Sequence, residues 1–337
     1  VFGRSFLTCK LLRGGTDSWQ IHLSAASSLV PTLATHLQSS PTHIPIQLPS
    51  SIGDDYSVNT STAPRCIFEN IDITADEPRR DIDGVACDFL VGTFIWFDII
   101  SSASTRNQPY LQNNEECLTT RGIGLDKIMG CRNWTMILIS RISALARWKS
   151  EQQKAGRLSM KDLMARGLEI ENALNEGLVR NKEDIGKPII HPESASSQRL
   201  GVAPSKANLV LTRIFAFSAL TYLHITISGA YPGLPEIQNS VSNTLEAFRF
   251  LPDPTFLRNL VWPFCITGCM ASKKNEEFFN IAMKMATREG EGCPGNLWKA
   301  WDIVKECWRM REEQMEGGSG IDWFDTMENL GFQVLLV

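Results

Sequence analysis

The sequence predicts an all-α fold, a single large helical domain over residues 1–337 with two long polar loops near 38–65 and 184–206. Three observations carry this. Apolar residues recur every three or four positions along most of the chain, strand-like alternation is scarce, and Ser, Thr, Pro and Gly concentrate in two stretches. With 43% hydrophobic residues, the chain has the material for an extensive core.

Taken in order, Asp17-Ser18 is placed to cap a helix that begins at Trp19 and runs through Ile21, Leu23, Ala25 and Ala26 to about Leu29. Pro31 is expected to open a short second helix. The apolar run from Val85 to Ile100, interrupted by Asp88 and Asp98, is too long for a typical strand. Trp134, Leu138, Ile142, Leu145 and Trp148 step by four, four, three and three, forming one stripe opposite Arg132, Arg141, Arg147 and Lys149. Ser159 to Val179 reads as a helix with Met160, Leu163, Met164, Leu174 and Leu178 on its apolar face.

Beyond the second loop the helices are expected close together, at Asn208–Ser228, Pro235–Leu251, Thr255–Ala271, Asn275–Arg288 and Asn296–Gln314. Pro235 suits a first helical turn, where a missing N–H leaves nothing unpaired. Leu209 to Ser228 is the most apolar segment. Arg213 and His224 break it below the roughly 18–20 apolar residues a membrane span needs, so it reads as a central buried helix and no membrane embedding is expected. Trp262-Pro263 should start or kink a buried helix, because Pro263 cannot donate to an upstream carbonyl. Leu297, Trp301, Val304, Trp308 and Arg311 form a packing seam on the last long helix.

The formal net charge is -4 with both signs interspersed, and the densest basic pairs are Arg79-Arg80 and Lys273-Lys274. No basic face is available to displace counterions from phosphates, so direct DNA binding by this chain is not expected. The nine cysteines are irregularly spaced and include no C-x-x-C pair, which argues against a disulfide framework or a structural zinc site. Asn59-Thr60-Ser61 and Asn133-Trp134-Thr135 match the glycosylation sequon but follow no secretory signal. Val1-Phe2-Gly3-Arg4 opens without an initiator Met, as expected of a fragment or trimmed chain.

Catalytic templates fail. His36, His43 and His191 lie in or beside loops without a nucleophile motif, and His22 and His224 lie within apolar helices. Gly122-Ile123-Gly124 follows a polar stretch instead of the strand a dinucleotide loop requires. Gln238, Ser242 and Glu246 share the spacing of one terpene-cyclase metal motif, but Gln replaces a ligand and the adjacent Asp is missing. The acidic clusters Asp54-Asp55 and Asp81 to Asp83 sit in or near loops and lack the D-D-x-x-D motif that accompanies it. The many tryptophans are expected mostly in the core, with some lining a cavity between helices for a small hydrophobic effector. Trp262, Pro263, Cys265, Gly268, Cys269, His224, Trp301 and Trp308 are the candidate pocket or core residues; no catalytic or metal-binding residue is assigned.

These segments resemble, in order, the C-terminal regulatory domain of fungal zinc binuclear-cluster transcription factors, in the branch that includes the acriflavine sensitivity control protein. Trp19-Gln20-Ile21-His22-Leu23 with Ala25-Ala26 resembles an early W-x-x-H-L-x-x-A helix. Phe94, Trp96, Asp98 and Ser101-Ser102, ending at Pro109-Tyr110-Leu111, resemble the aromatic helix and its loop. Gly130-Cys131 with Ile142, Leu145 and Trp148-Lys149 resembles the next amphipathic helix. Tyr222-Leu223-His224 through Ser228-Gly229, then Pro232 and Pro235-Glu236-Ile237, is similar to the central helix pair. Trp262-Pro263-Phe264-Cys265-Ile266-Thr267-Gly268-Cys269-Met270-Ala271 is the most specific piece. Trp301, Val304, Trp308, Asp322-Trp323, Gly331, Leu335 and Leu336 complete the pattern.

The resemblance implies the all-helical effector domain of a nuclear regulator of RNA polymerase II transcription, often dimeric, with transcriptional co-regulators as partners. It implies no catalytic residue. DNA reading in such proteins belongs to a six-cysteine zinc cluster N-terminal to this domain, and that cluster is absent from these residues, so zinc is expected only in that module. The alternative reading is a helical domain of this kind repurposed as an enzyme of fungal secondary metabolism, working by shape and dipole placement without a motif.

Overall fold

The computed structural model describes residues 19–36, 82–111, 114–120, 122–186, 205–287, 295–314 and 320–337, and among them every regular element is helical. The helices are α1 (Trp19–His36), α2 (Ile82–Thr105), α3 (Asn114–Thr120), α4 (Asn133–Lys154), α5 (Met160–Gly186), α6 (Lys206–Ser228), α7 (Pro235–Phe248), α8 (Val261–Cys269), α9 (Glu276–Thr287), α10 (Gly295–Glu313) and α11 (Trp323–Leu330). Both loops of the sequence reading fall largely outside the described residues, as do the Asp17-Ser18 cap and Arg79-Arg80.

Helix α6 is the axis of the molecule. It is flanked by α4, α5, α7 and α8, and buries Leu211, Ile214, Phe215, Ala219, Tyr222 and Leu223 almost completely. By length and apolarity both α2, from Gly84, and α6 could cross a membrane, but 78% of the α6 window and 50% of the α2 window is buried against protein. Ser205 caps α6, accepting a hydrogen bond from the Asn208 amide at 3.2 Å.

Helix α5 runs antiparallel to α6: Gly167 meets Ile227 at one end, and Asn181 Nδ2 donates to the Leu209 carbonyl at 2.9 Å at the other. Its buried stripe is Leu163, Gly167, Ile170, Leu174, Gly177 and Asn181, stepping by four, three, four, three and four. This corrects the expected face, since Met160 and Met164 are exposed. The two glycines explain the difference. Gly177 is where the Trp134 ring of α4 lies against the α5 backbone, and Gly167 receives Ile227. Apolar periodicity counts side chains, so it misses a face built partly from their absence.

Two further corrections concern proline and segment ends. Helix α1 continues through Pro31 without restarting, although Pro31 has no N–H for the Ser27 carbonyl. The expected single helix over 255–271 is a 3-10 turn (Pro254–Asn259) followed by α8. Pro263 occupies the first turn of α8, where no intrahelical hydrogen bond is lost. Pro235 sits likewise at the start of α7.

The last residues close the core. Val334, Leu335, Leu336 and Val337 are buried, and Asn296 Nδ2 donates to the Leu335 and Val337 carbonyls at 3.1 and 3.0 Å. Trp19 Nε1 donates to the Gln333 carbonyl at 3.3 Å, so the described residues farthest apart in sequence share one packed region.

Candidate functional site

Helix α8 is the short apolar element that brings the candidate residues together. All nine of its residues are buried, and it is wedged between α6 and α10. Its faces serve two different clusters.

On the α10 side lie Gly268 and Cys269, facing Val304, Cys307 and Trp308, and Cys265 is buried beside Cys269. A Cβ on Gly268 would stand 2.8 Å from Val304 Cγ2, so the glycine sets the distance between the two helices. Trp308 Nε1 donates to the Gly268 carbonyl at 2.9 Å, and the Arg311 guanidinium donates to the Cys269 carbonyl. These bonds satisfy carbonyls that the end of a helix otherwise leaves open. Trp301 and Trp308 meet edge to face at 5.5 Å, with Phe264 and Phe279 adjoining them.

Cys307 Sγ contacts the Cys269 and Ile321 carbonyls, both at 3.7 Å. Burial pushes the Cys269 thiol well above its ordinary range, and the neighbouring Cys269 thiol followed by burial does the same for Cys307. Thiols held protonated and out of water are poor nucleophiles and poor metal ligands. Among the described residues, no group of three or more His, Cys, Asp or Glu side chains is arranged to hold a metal ion.

On the α6 side lies Trp262, 1% exposed. Its ring is parallel to Phe215 at 6.2 Å and edge-on to Tyr222 at 6.0 Å, and Tyr222 in turn meets Trp323 edge-on at 5.4 Å. Trp323 Nε1 donates to the Ser104 carbonyl at 3.0 Å. Trp262 Nε1, equally buried, has no hydrogen-bond acceptor. A buried donor left unpaired costs about 1–3 kcal/mol, so this one calls for an explanation.

His224 belongs to neither cluster. It points from α6 toward α5, with Nε2 at 3.6 Å from Glu171 Oε1 and Nδ1 buried without a partner.

Sequence reasoning missed a third region, a polar joint where α2 ends against α4 and α11. Arg106, after α2, has a left-handed backbone (φ 59°) and pairs with the Asp322 carboxylate. Its guanidinium lies 4.7 Å from the Phe324 ring centre. Asp322 also caps α11, accepting from the Phe324 and Asp325 amides at 2.8 and 3.3 Å, while Asp325 accepts from the Asp322 amide at 3.0 Å. Burial pushes the Asp322 carboxyl up to about 6, with Arg106 and the two amides pulling the other way.

Asp98, fully buried in α2, accepts from the Tyr110 and Leu111 amides at 2.7 and 3.0 Å and from Asn114 Nδ2 at 2.9 Å. Burial raises its carboxyl despite these donors. Arg147 Nη1 donates to Ser102 Oγ (2.8 Å) and the Asn107 carbonyl (3.2 Å), and Lys149 Nζ donates to the Thr226 (2.7 Å) and Ile227 (3.3 Å) carbonyls at the end of α6. The readable signals were Asp98 in an otherwise apolar run and the D-x-x-D spacing of a capping box at Asp322 and Asp325.

Comparison with known proteins places this architecture. The profile described as "Fungal specific transcription factor domain" matches residues 7–337. The chain is 33% identical to the trichothecene biosynthesis transcription regulator TRI10 of Trichoderma arundinaceum, over 99% of this chain and 71% of that protein. It is 31% identical to the TRI10 regulator of Fusarium sporotrichioides, over 98% of this chain and 72% of the relative. The ustiloxin B cluster transcription factor ustR of Aspergillus flavus is 27% identical over 94% of this chain and 53% of its own length. No solved structure matches significantly. An all-α chain matched almost end to end by this profile and these regulators belongs to the family of fungal-specific transcription factor domains, the regulatory part of fungal transcription regulators.

Proposed function

We propose that this chain regulates transcription of a fungal secondary-metabolite gene cluster from the nucleus, through contacts with transcriptional co-regulators, and that a small hydrophobic effector sets its output. One observation carries the reading: the family match over residues 7–337 coincides with relatives named as regulators of trichothecene and ustiloxin B clusters. The chemistry of the described side chains supports a regulatory role over a catalytic one. The thiols of Cys269 and Cys307 are protonated packing groups, and His224 faces a carboxylate between two helices.

Recognition of DNA is assigned to a separate zinc-cluster module. Among the described cysteines, Cys131, Cys265, Cys269 and Cys307 are buried in helix packing, which does not suit such a cluster, and the net charge of -4 does not favour binding to phosphates. The isolated chain is therefore expected to give no specific gel shift at about 150 mM salt.

Fusing residues 1–337 to a heterologous DNA-binding module and measuring a reporter in a filamentous fungus tests the proposal. Reporter output that depends on the fused chain supports it, as does loss of one cluster's transcripts when the native gene is deleted. Turnover of a metabolite by the purified chain, with no transcriptional effect of the deletion, would overturn it in favour of the repurposed enzyme.

A further inference from the structure

We draw no further inference here: the strongest candidate, the exposed apolar stripe of Met160, Met164 and Leu168 along the outer face of α5, carries no docking site because nothing in the structure shows what covers it.

Discussion

The two regions that meet at Tyr222 are stabilised by opposite means. The α6–α8–α10 core joins rings, methyl groups and thiols, and apart from the Trp262 N–H its polar atoms at Gly268 and Cys269 are satisfied across helices. The joint at the end of α2 buries two carboxylates, Asp98 and Asp322, and holds them with amides, Arg106 and Asn114. Burial drives the first region and opposes the second, where desolvation must be offset by well-placed donors. The core therefore tolerates apolar replacement of similar volume, whereas the joint depends on particular residues and on pH.

The largest effect should come from the core. Trp262→Ala removes a fully buried indole between Phe215 and Tyr222 and should destabilise the chain by about 3–5 kcal/mol, as for other large-to-small aromatic changes. Chemical denaturation measures this directly. Trp262→Phe should cost far less, because the lost N–H made no hydrogen bond in the protein. If both variants lost the same stability, a polar contact of the indole would have to be added to the core.

The joint should show its character in pH. Asp322 is faced by Arg106 from the end of α2, Asp325 from α11 and Tyr222 from α6. A carboxyl raised from 3.8 to about 6 on folding contributes stability that is fully present below pH 3.8 and lost as pH rises through 6. The free energy involved is about 3 kcal/mol. Asp322→Asn cannot titrate, so the stability of wild type relative to this variant should improve by about 2 kcal/mol between pH 7 and pH 4. A difference moving the opposite way would show that Arg106 and the capping amides outweigh burial, and a flat one that they balance it.

This contrast also explains what could be read from the sequence. The helices of the core were legible because burial writes itself as three- and four-residue periodicity, and Trp301, Val304 and Trp308 occupy the seam their spacing implied. Of the candidate residues, Gly268, Cys269, Trp301 and Trp308 meet on one side of α8, Trp262 lies on the other, and His224 is turned away toward α5. A spacing pattern assigns residues to a helix without saying which of two neighbours each one touches. At the joint Asp98 and the D-x-x-D spacing were visible, but the pairing was not, because Arg106 and Asp322 are far apart in sequence and meet only in the complete fold.

A pair of glycines sharpens the point at smaller energies. In Gly177→Ala the new Cβ would stand within 2.7 Å of Trp134 ring carbons, and a rigid ring in a packed interface cannot easily yield. The expected cost is about 1–3 kcal/mol, as for other overpacked interiors. At Gly167 the obstacle is the tip of Ile227, which can change rotamer, and alanine also gains up to about 1 kcal/mol of helix propensity. Gly167→Ala should be near neutral. Equal destabilisation at both positions, measured by melting temperature, would show that Trp134 and Ile227 yield equally.

The smallest effect is expected where an ion pair looks most convincing by distance alone. Lys273 Nζ lies 2.9 Å from Glu312 Oε1, joining the 3-10 turn Lys273–Asn275 to α10. Their side chains are 84% and 62% exposed, against 3% for Asp322. Water solvates both members of the surface pair whether or not they meet, and ordering two long side chains offsets most of the attraction. Lys273→Met should therefore leave the melting temperature unchanged within error at physiological salt, even though the hydrogen bond from Lys273 lowers the Glu312 carboxyl. A clear loss of stability that persisted in high salt, where exposed charges are screened within a few ångströms, would mean that the turn depends on this pair. The division between a buried joint that matters and a surface pair that does not would then fail.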